Sequence, residues 1–276
     1  MNMVTTFARL SECENARHVL DSRGIAYEVI EAAPQYARVG TAALRTSAEG
    51  QAALAMDPGI SDAGWVDFRA PAQPVSQGAA DEFEEDVFGD AAIMVLAPCV
   101  ADLSRIRLIA HFSGNLAEVL PYLNAEMPQG FFNANVPALT FMDGYRMVVL
   151  YSDRVTVAKA DELVDAWRTL DSVRRLANSV WARRRSIEPS YVMRRKPPAI
   201  EIYKRLPGTN CQVCGERTCL AFALRVWVAE SKPSSCKPVF SGDYAHLKPA
   251  LLEICAGLGV LPSEEPTVTV SDDVTV

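Results

Sequence analysis

Apolar runs of strand length, set off by Gly, Pro, Asn and Asp, alternate with helix-compatible stretches as far as Ala160, and one long stripe at helical spacing follows. Alternation at period two reads as a half-buried strand, and recurrence at three and four as an amphipathic helix. On that basis residues 4–8 are predicted as a strand, 14–23 as a helix, 25–30 as a strand, 48–56 as a helix and 64–69 as a short strand. Further on, 91–96 and 106–112 read as strands and 115–127 as a helix. Residues 138–142 and 146–151 form a hairpin across Asp143-Gly144, a strong turn signal, and 155–158 is one more short strand. From Asp161 the apolar positions Leu163, Val164, Trp167, Leu170, Val173, Leu176 and Val180 predict a long helix. The fold class is α+β: two small α/β units, the second with helices on one face of a mostly antiparallel sheet, followed by a small helical unit.

The expected organisation is a small α/β domain over 1–70, an acidic linker over 71–89, an α+β domain with a long basic helix over 90–200, and a final domain with a C-terminal tail over 201–276. The linker rests on composition. Residues 71–78 are rich in Pro, Gln and Ser, and Asp81, Glu82, Glu84, Glu85 and Asp86 then make an acidic run of the kind that normally stays hydrated; a partner-docking segment is the alternative.

With 276 residues, 49% hydrophobic and 22% charged, the chain has enough apolar content for a packed core and is not disordered throughout. No apolar run reaches the roughly eighteen residues of a membrane span; the best, 91–98, is strand-length. The N-terminus lacks a basic region followed by a signal core. No nucleotide-binding glycine pattern, nucleophile elbow or metalloprotease motif is present.

The chemistry is concentrated near the C-terminus. Cys211, Cys214, Cys219 and Cys236 are spaced C-x2-C-x4-C-x16-C. Thiolates are soft ligands that select zinc or an iron–sulfur cluster. A structural zinc ribbon usually offers two C-x-x-C knuckles. Here there is one knuckle, a third cysteine close behind and a distant fourth, which suits one [4Fe–4S] cluster; zinc, and a disulfide pair or free thiols, are the alternatives. Pro207-Gly208 before the first cysteine and Gly215 after the second let the backbone fold back, and the apolar run 220–230 is expected to return as a helical lid. A dry shell of that kind is one lever on reduction potential.

The stretch 206–238 resembles the small four-cysteine [4Fe–4S] domain of the corrinoid iron–sulfur protein large subunit, of the acetyl-CoA decarbonylase/synthase gamma subunit and of the B subunit of the Rnf electron-transport complex. The resemblance implies that Cys211, Cys214, Cys219 and Cys236 ligate one low-potential cubane. The parts that accompany this domain in those proteins are missing: there is no cobalamin-binding D-x-H-x-x-G, no eight-cysteine ferredoxin domain and no N-terminal membrane helix. From about Ile106 through the cysteines the chain also looks like uncharacterised single-cluster Fe–S proteins of anaerobic bacteria and methanogens.

Cys13, Cys99 and Cys255 are scattered singly and read as small core residues, although a thiol at a strand-to-helix turn, as at Cys13, can be redox-active. His18, His111 and His246 are too dispersed to suggest a ligand set. Asn124, Asn133 and Asn135, near Tyr122, Phe131 and Phe132, could line a pocket but read better as turn formers. From Arg168 to Arg205 the chain is basic, with Arg168, Arg174, Arg175, Arg183, Arg184, Arg185, Arg194, Arg195, Lys196, Lys204 and Arg205 against few acids, in a chain whose net charge is −7. That is a solvated helix face with some pairing to the acidic segment, or a docking patch at Arg183, Arg184 and Arg185 for an acidic electron carrier; nucleic acid fits the overall acidity poorly.

The expectation is therefore a cytoplasmic [4Fe–4S] protein of anaerobic metabolism that passes one electron at a time to a protein redox partner or metalloenzyme, without a catalytic residue of its own. The alternatives are an accessory or maturation factor with a structural or delivered cluster, and a corrinoid-linked or cluster-assisted reductase.

Overall fold

The computed structural model describes residues 2–75, 78–100, 102–194 and 197–258. The chain forms two compact units, Met1–Arg195 and Lys196–Val276.

The first unit opens with β1 (Met3–Thr6), α1 (Leu10–Ser22), β2 (Tyr27–Ile30), β3 (Ala43–Thr46), α2 (Ala48–Ala55) and β4 (Val66–Asp67). The sheet order is β2-β3-β1-β4, and every pairing is antiparallel. β1 and β2 thus run in the same direction with β3 slotted between them, a split β-α-β. The periodicity reading lacks β3, because the four residues Ala-Leu-Arg-Thr carry almost no β signal of their own. It is tertiary: β3 bonds to strands on both sides and buries Ala43, Leu44 and Thr46. α1 and α2 close over this sheet with Cys13, Ala16 and Leu20 packed against Phe7, Leu44, Ala53 and Leu54. Ser47 caps α2 by accepting from the Gly50 amide at 3.2 Å.

The larger sheet follows: β5 (Ala91–Pro98), β6 (Ile106–Phe112), α3 (Leu120–Glu126), β7 (Phe131–Asn133), β8 (Ala138–Asp143), β9 (Arg146–Tyr151), β10 (Arg154–Ala160) and α4 (Leu163–Ala182). Its order is β5-β6-β10-β9-β8-β7, antiparallel throughout. In the hairpin Asp143 pairs with Arg146, so the two-residue loop is Gly144-Tyr145, one position later than expected. α3 begins at Leu120, later than predicted, with Pro121 in its first turn where the missing N–H costs nothing.

α4 is buried on more than its apolar stripe. Trp167, Leu170, Val173, Ala177 and Val180 face the core shared with the sheet, but Asp171, Arg174 and Asn178 are buried too. The reason is the acidic segment. Asp86 accepts from Arg174 Nε at 3.0 Å, from Asn178 Nδ2 at 2.8 Å and from the Gly89 amide at 2.8 Å. Arg174 also donates to the Asp81 carbonyl at 2.9 Å, and Trp181 Nε1 donates to Glu85 at 2.7 Å. Phe88 is fully buried and stacks on Phe112 at 4.3 Å. The expected hydrated linker is therefore a strap fastened to α4, because a buried guanidinium demands a carboxylate partner.

The expected boundary near residue 70 separates two sheets but not two compact units. Val4, Tyr36, Val39 and Ala43 belong to the same hydrophobic core as Ile93, Leu96 and Trp167. The Ala91 amide bonds to the Arg38 carbonyl at 2.8 Å, and the Leu96 amide to the Ala63 carbonyl. Gly64 adjoins that junction at φ +106°, where a Cβ would lie 2.3 Å from the Leu96 carbonyl oxygen. Only glycine lets the strands meet there.

The second unit is helical among its described residues: α5 (Ala199–Tyr203), α6 (Cys219–Trp227), α7 (Lys237–Ser241) and α8 (Lys248–Gly257). Its buried side chains include Ile202, Leu206, Phe222, Val226, Val239, Leu251 and Cys255. Trp227 Nε1 donates to the Pro197 carbonyl at 2.7 Å. The expected tail after Leu258 lies outside the described residues, as do Arg195 and Lys196 of the basic stretch. Among the described residues no helix is long and apolar enough to cross a membrane. With mixed helices and antiparallel sheets, the fold class is α+β.

Candidate metal centre

All four cysteines of the motif line one hollow, together with Pro207, Asn210, Gln212, Phe222 and Pro238. The loop that brings three of them there is tightly curled. Gly208, Asn210, Gln212 and Gly215 all have positive φ, at 69°, 51°, 62° and 88°. Asparagine tolerates that conformation, whereas a left-handed glutamine costs about 1–2 kcal/mol and persists only where its surroundings hold it. Asn210 supplies part of the hold: its Oδ1 accepts from the Cys219 amide at 2.8 Å, closing the loop onto the start of α6. Thr218 caps the same helix through the Ala221 amide at 3.0 Å, which fixes Cys219 as the first residue of α6. Cys236 ends a 3-10 turn over Pro233–Ser235 and leads into α7.

The four thiols are graded in exposure. Cys219 and Cys236 are 8% and 5% exposed, Cys214 is half-buried and Cys211 is open to solvent. The Cys236 thiol is pushed above its usual range by burial; a hydrogen bond from the Val239 amide opposes this, and negative charge at Cys214, Cys219 and Cys211 adds to it. Glu216 also lines the hollow but is paired with Arg225 at 3.3 Å. Among the described residues no three Cys, His, Asp or Glu side chains close to the spacing that holds a single metal ion. In chemistry this donor set, all thiols with an aromatic ring and two prolines around them, fits an iron–sulfur cluster.

The other candidates fall away from this site. Cys13 is buried, and burial raises its thiol pKa, so it lacks the thiolate character of a redox cysteine. Cys99 is buried, and Cys255 is fully buried with its pKa pushed up to about 12. Asn124 is buried and donates to the Ser190 and Val192 carbonyls at 2.7 and 3.1 Å. Asn133 makes a turn, accepting from the Asn135 amide at 3.0 Å. In the basic patch Arg183 is paired with Glu126 at 3.0 Å and Arg184 with Glu85 at 3.1 Å. Arg185 lies near enough to Glu85 to help lower its pKa, behind the hydrogen bond from Trp181 and the charge of Arg184. The patch is thus largely compensated by the chain's own carboxylates.

Two groups escaped the sequence reading. Asn210 is one; its place immediately before a ligand, between glycines, was the available signal. The other is the pair Arg217 and Lys237, exposed and close in sequence to Cys219 and Cys236. We expect Asn210→Ala, which loses both the bond and the tolerated left-handed backbone, to release iron about tenfold faster to a chelator, the range typical of lost outer-shell support, with Asn210→Asp close to wild type.

The hollow gathers the four thiols in an α+β protein, and the segment that carries them is similar to known proteins. Residues 206–238 match the family model described as "Putative Fe-S cluster". The gamma 2 subunit of the acetyl-CoA decarbonylase/synthase complex of Methanosarcina thermophila is 41% identical over 69 residues, 22% of this chain and 15% of the relative. The gamma subunit of Methanothermobacter thermautotrophicus is 37% identical over 81 residues, 28% of this chain and 17% of the relative. The chain thus spans about a sixth of the length of these relatives. No solved structure matches the chain. The resemblance carried by the cysteines is shown for this segment, and an iron–sulfur cluster is the cofactor it supports.

Proposed function

We propose that the protein holds one [4Fe–4S] cluster on Cys211, Cys214, Cys219 and Cys236 and exchanges single electrons with a protein partner. The observation that carries the reading is the convergence of four thiols, 25 residues apart in sequence at their extremes, on the lining of one hollow. When bound, the cluster supplies the one-electron chemistry. The protein's part is to bind, insulate and expose. Cys219 and Cys236 anchor the dry side beside Phe222, while Cys211 faces solvent and gives a short route outward. The relatives are subunits of a named complex, which supports a protein rather than a small molecule as the partner. Free cysteines throughout the described residues suit a reducing, cytoplasmic setting, and the methanogen relatives suit an anaerobic one.

Protein expressed and purified anaerobically with iron and sulfide available should be brown, hold about four irons per chain and give an EPR signal on one-electron reduction. Stoichiometric zinc under the same conditions overturns the assignment.

A further inference from the structure

We infer that the redox partner docks on the mouth of the cysteine hollow itself, around Val213 with Arg217 and Lys237 at the rim, and that the partner presents an acidic surface. The inference rests on the electron-transfer reading above. Cys211 is the exposed ligand, so the hollow opens on its side while Cys219 and Cys236 face inward. Val213, between the first two ligands, is held outward by the curled backbone and is 60% exposed. Leu220 and Leu224, one turn apart on α6 directly after Cys219, are also exposed.

Charge identifies the occupant. Arg217 lies two residues before Cys219 and Lys237 immediately after Cys236; both are exposed, and neither is ion-paired among the described residues. Three acids of this unit are drawn into internal pairs, Glu216 and Glu230 with Arg225, and Glu201 with Lys204 and Arg205, while Asp243 and Glu253 are exposed and are not among the residues that line the hollow. Arg217 lies between the lining residues Glu216 and Thr218, and Lys237 between Cys236 and Pro238, so two unpaired cations stand next to the hollow in a chain of net charge −7. That sign asymmetry turns an acidic carrier toward the metal face and away from the rest of the surface. An apolar centre with a charged rim is the ordinary anatomy of a transient interface. Arg183, Arg184 and Arg185 do not compete well as the docking patch, since their charge is offset at Glu126 and Glu85.

The test uses the full chain, reconstituted anaerobically, with an acidic flavodoxin as carrier and stopped-flow rates measured across ionic strength. Arg217→Glu with Lys237→Glu should slow exchange about tenfold at low salt and converge with wild type at high salt, because screening removes the steering. Reduction by a small cationic viologen should not be slowed. If the glutamate pair loses iron, Arg217→Gln with Lys237→Gln carries the same test with a smaller effect. Equal slowing at every salt concentration means that the two cations only offset thiolate charge, and overturns the docking inference. So does a larger effect from Arg183, Arg184 and Arg185 all changed to Glu. A wild-type cluster that exchanges with no carrier while viologen reduces it instead defeats the electron-transfer reading itself.

Discussion

Changing Cys219 to serine should strip the protein of its iron, from about four atoms per chain to below one after anaerobic desalting, while leaving it folded. The serine hydroxyl is nearly the size of the thiol, so the start of α6 can keep its cap from Thr218 and its bond to Asn210. What changes is the donor. A hard hydroxyl replaces a soft thiolate at a position only 8% exposed, where water cannot enter freely to complete the ligand set. Cys236→Ser should behave alike. Cys211→Ser, on the open side, should retain more iron because solvent can approach the vacated corner. Cys255→Ala is the control: that side chain is fully buried away from the hollow's lining, so iron content and EPR signal should be unchanged. Iron retained in full by Cys219→Ser would remove Cys219 from the ligand set.

The second large effect is on stability. Asp86→Ala takes away the carboxylate hydrogen-bonded to the Arg174 guanidinium, which is 2% exposed and keeps the Asp81 carbonyl, the ring of Phe83 and the nearby charge of Asp171. Breaking one side of a buried ion pair costs about 3–5 kcal/mol, because the surviving charge stays desolvated. In a unit of this size that is a fall of roughly 6–20 °C in Tm. Asp86→Asn, which keeps an acceptor, should lose less. The pair also sets an acid dependence. Burial alone would raise the Asp86 pKa, but the hydrogen bonds from Gly89, Arg174 and Asn178 and the charge of Arg174 together hold it below the usual carboxylate value. A depressed carboxylate contributes its stabilisation above the unfolded value of about 3.9 and loses it as pH falls through the lower folded value. Wild type should therefore lose an increment of stability below about pH 4 that Asp86→Asn lacks. Urea titrations of both proteins across that range measure it; parallel curves would mean Asp86 contributes nothing through its charge.

Elements with strong periodicity could be read from the chain alone. β6 occupies the expected residues 106–112, and the stripe from Leu163 to Val180 is the core face of α4. That the four cysteines come together was legible because their spacing is largely local. β3 was not, because Ala43 to Thr46 becomes a strand only by being bonded on both sides. The acidic segment misled for a related reason: Asp86 looks solvated until Arg174, far away in sequence, is placed against it. The role of Asn210 depends on a backbone angle that no spacing encodes.

The strap at Asp81–Phe88 also orders events during synthesis. Asp86 and Arg174 are 88 positions apart, and Glu85 and Trp181 are 96. While a ribosome is still making the larger sheet, the segment has emerged but its basic partners have not. A loop of that length closes at only slowly rising entropic cost, so the delay is one of waiting for sequence and not of finding it. Until α4 arrives, the apolar face of the six strands and the carboxylates that pair with the helix are both without their partners.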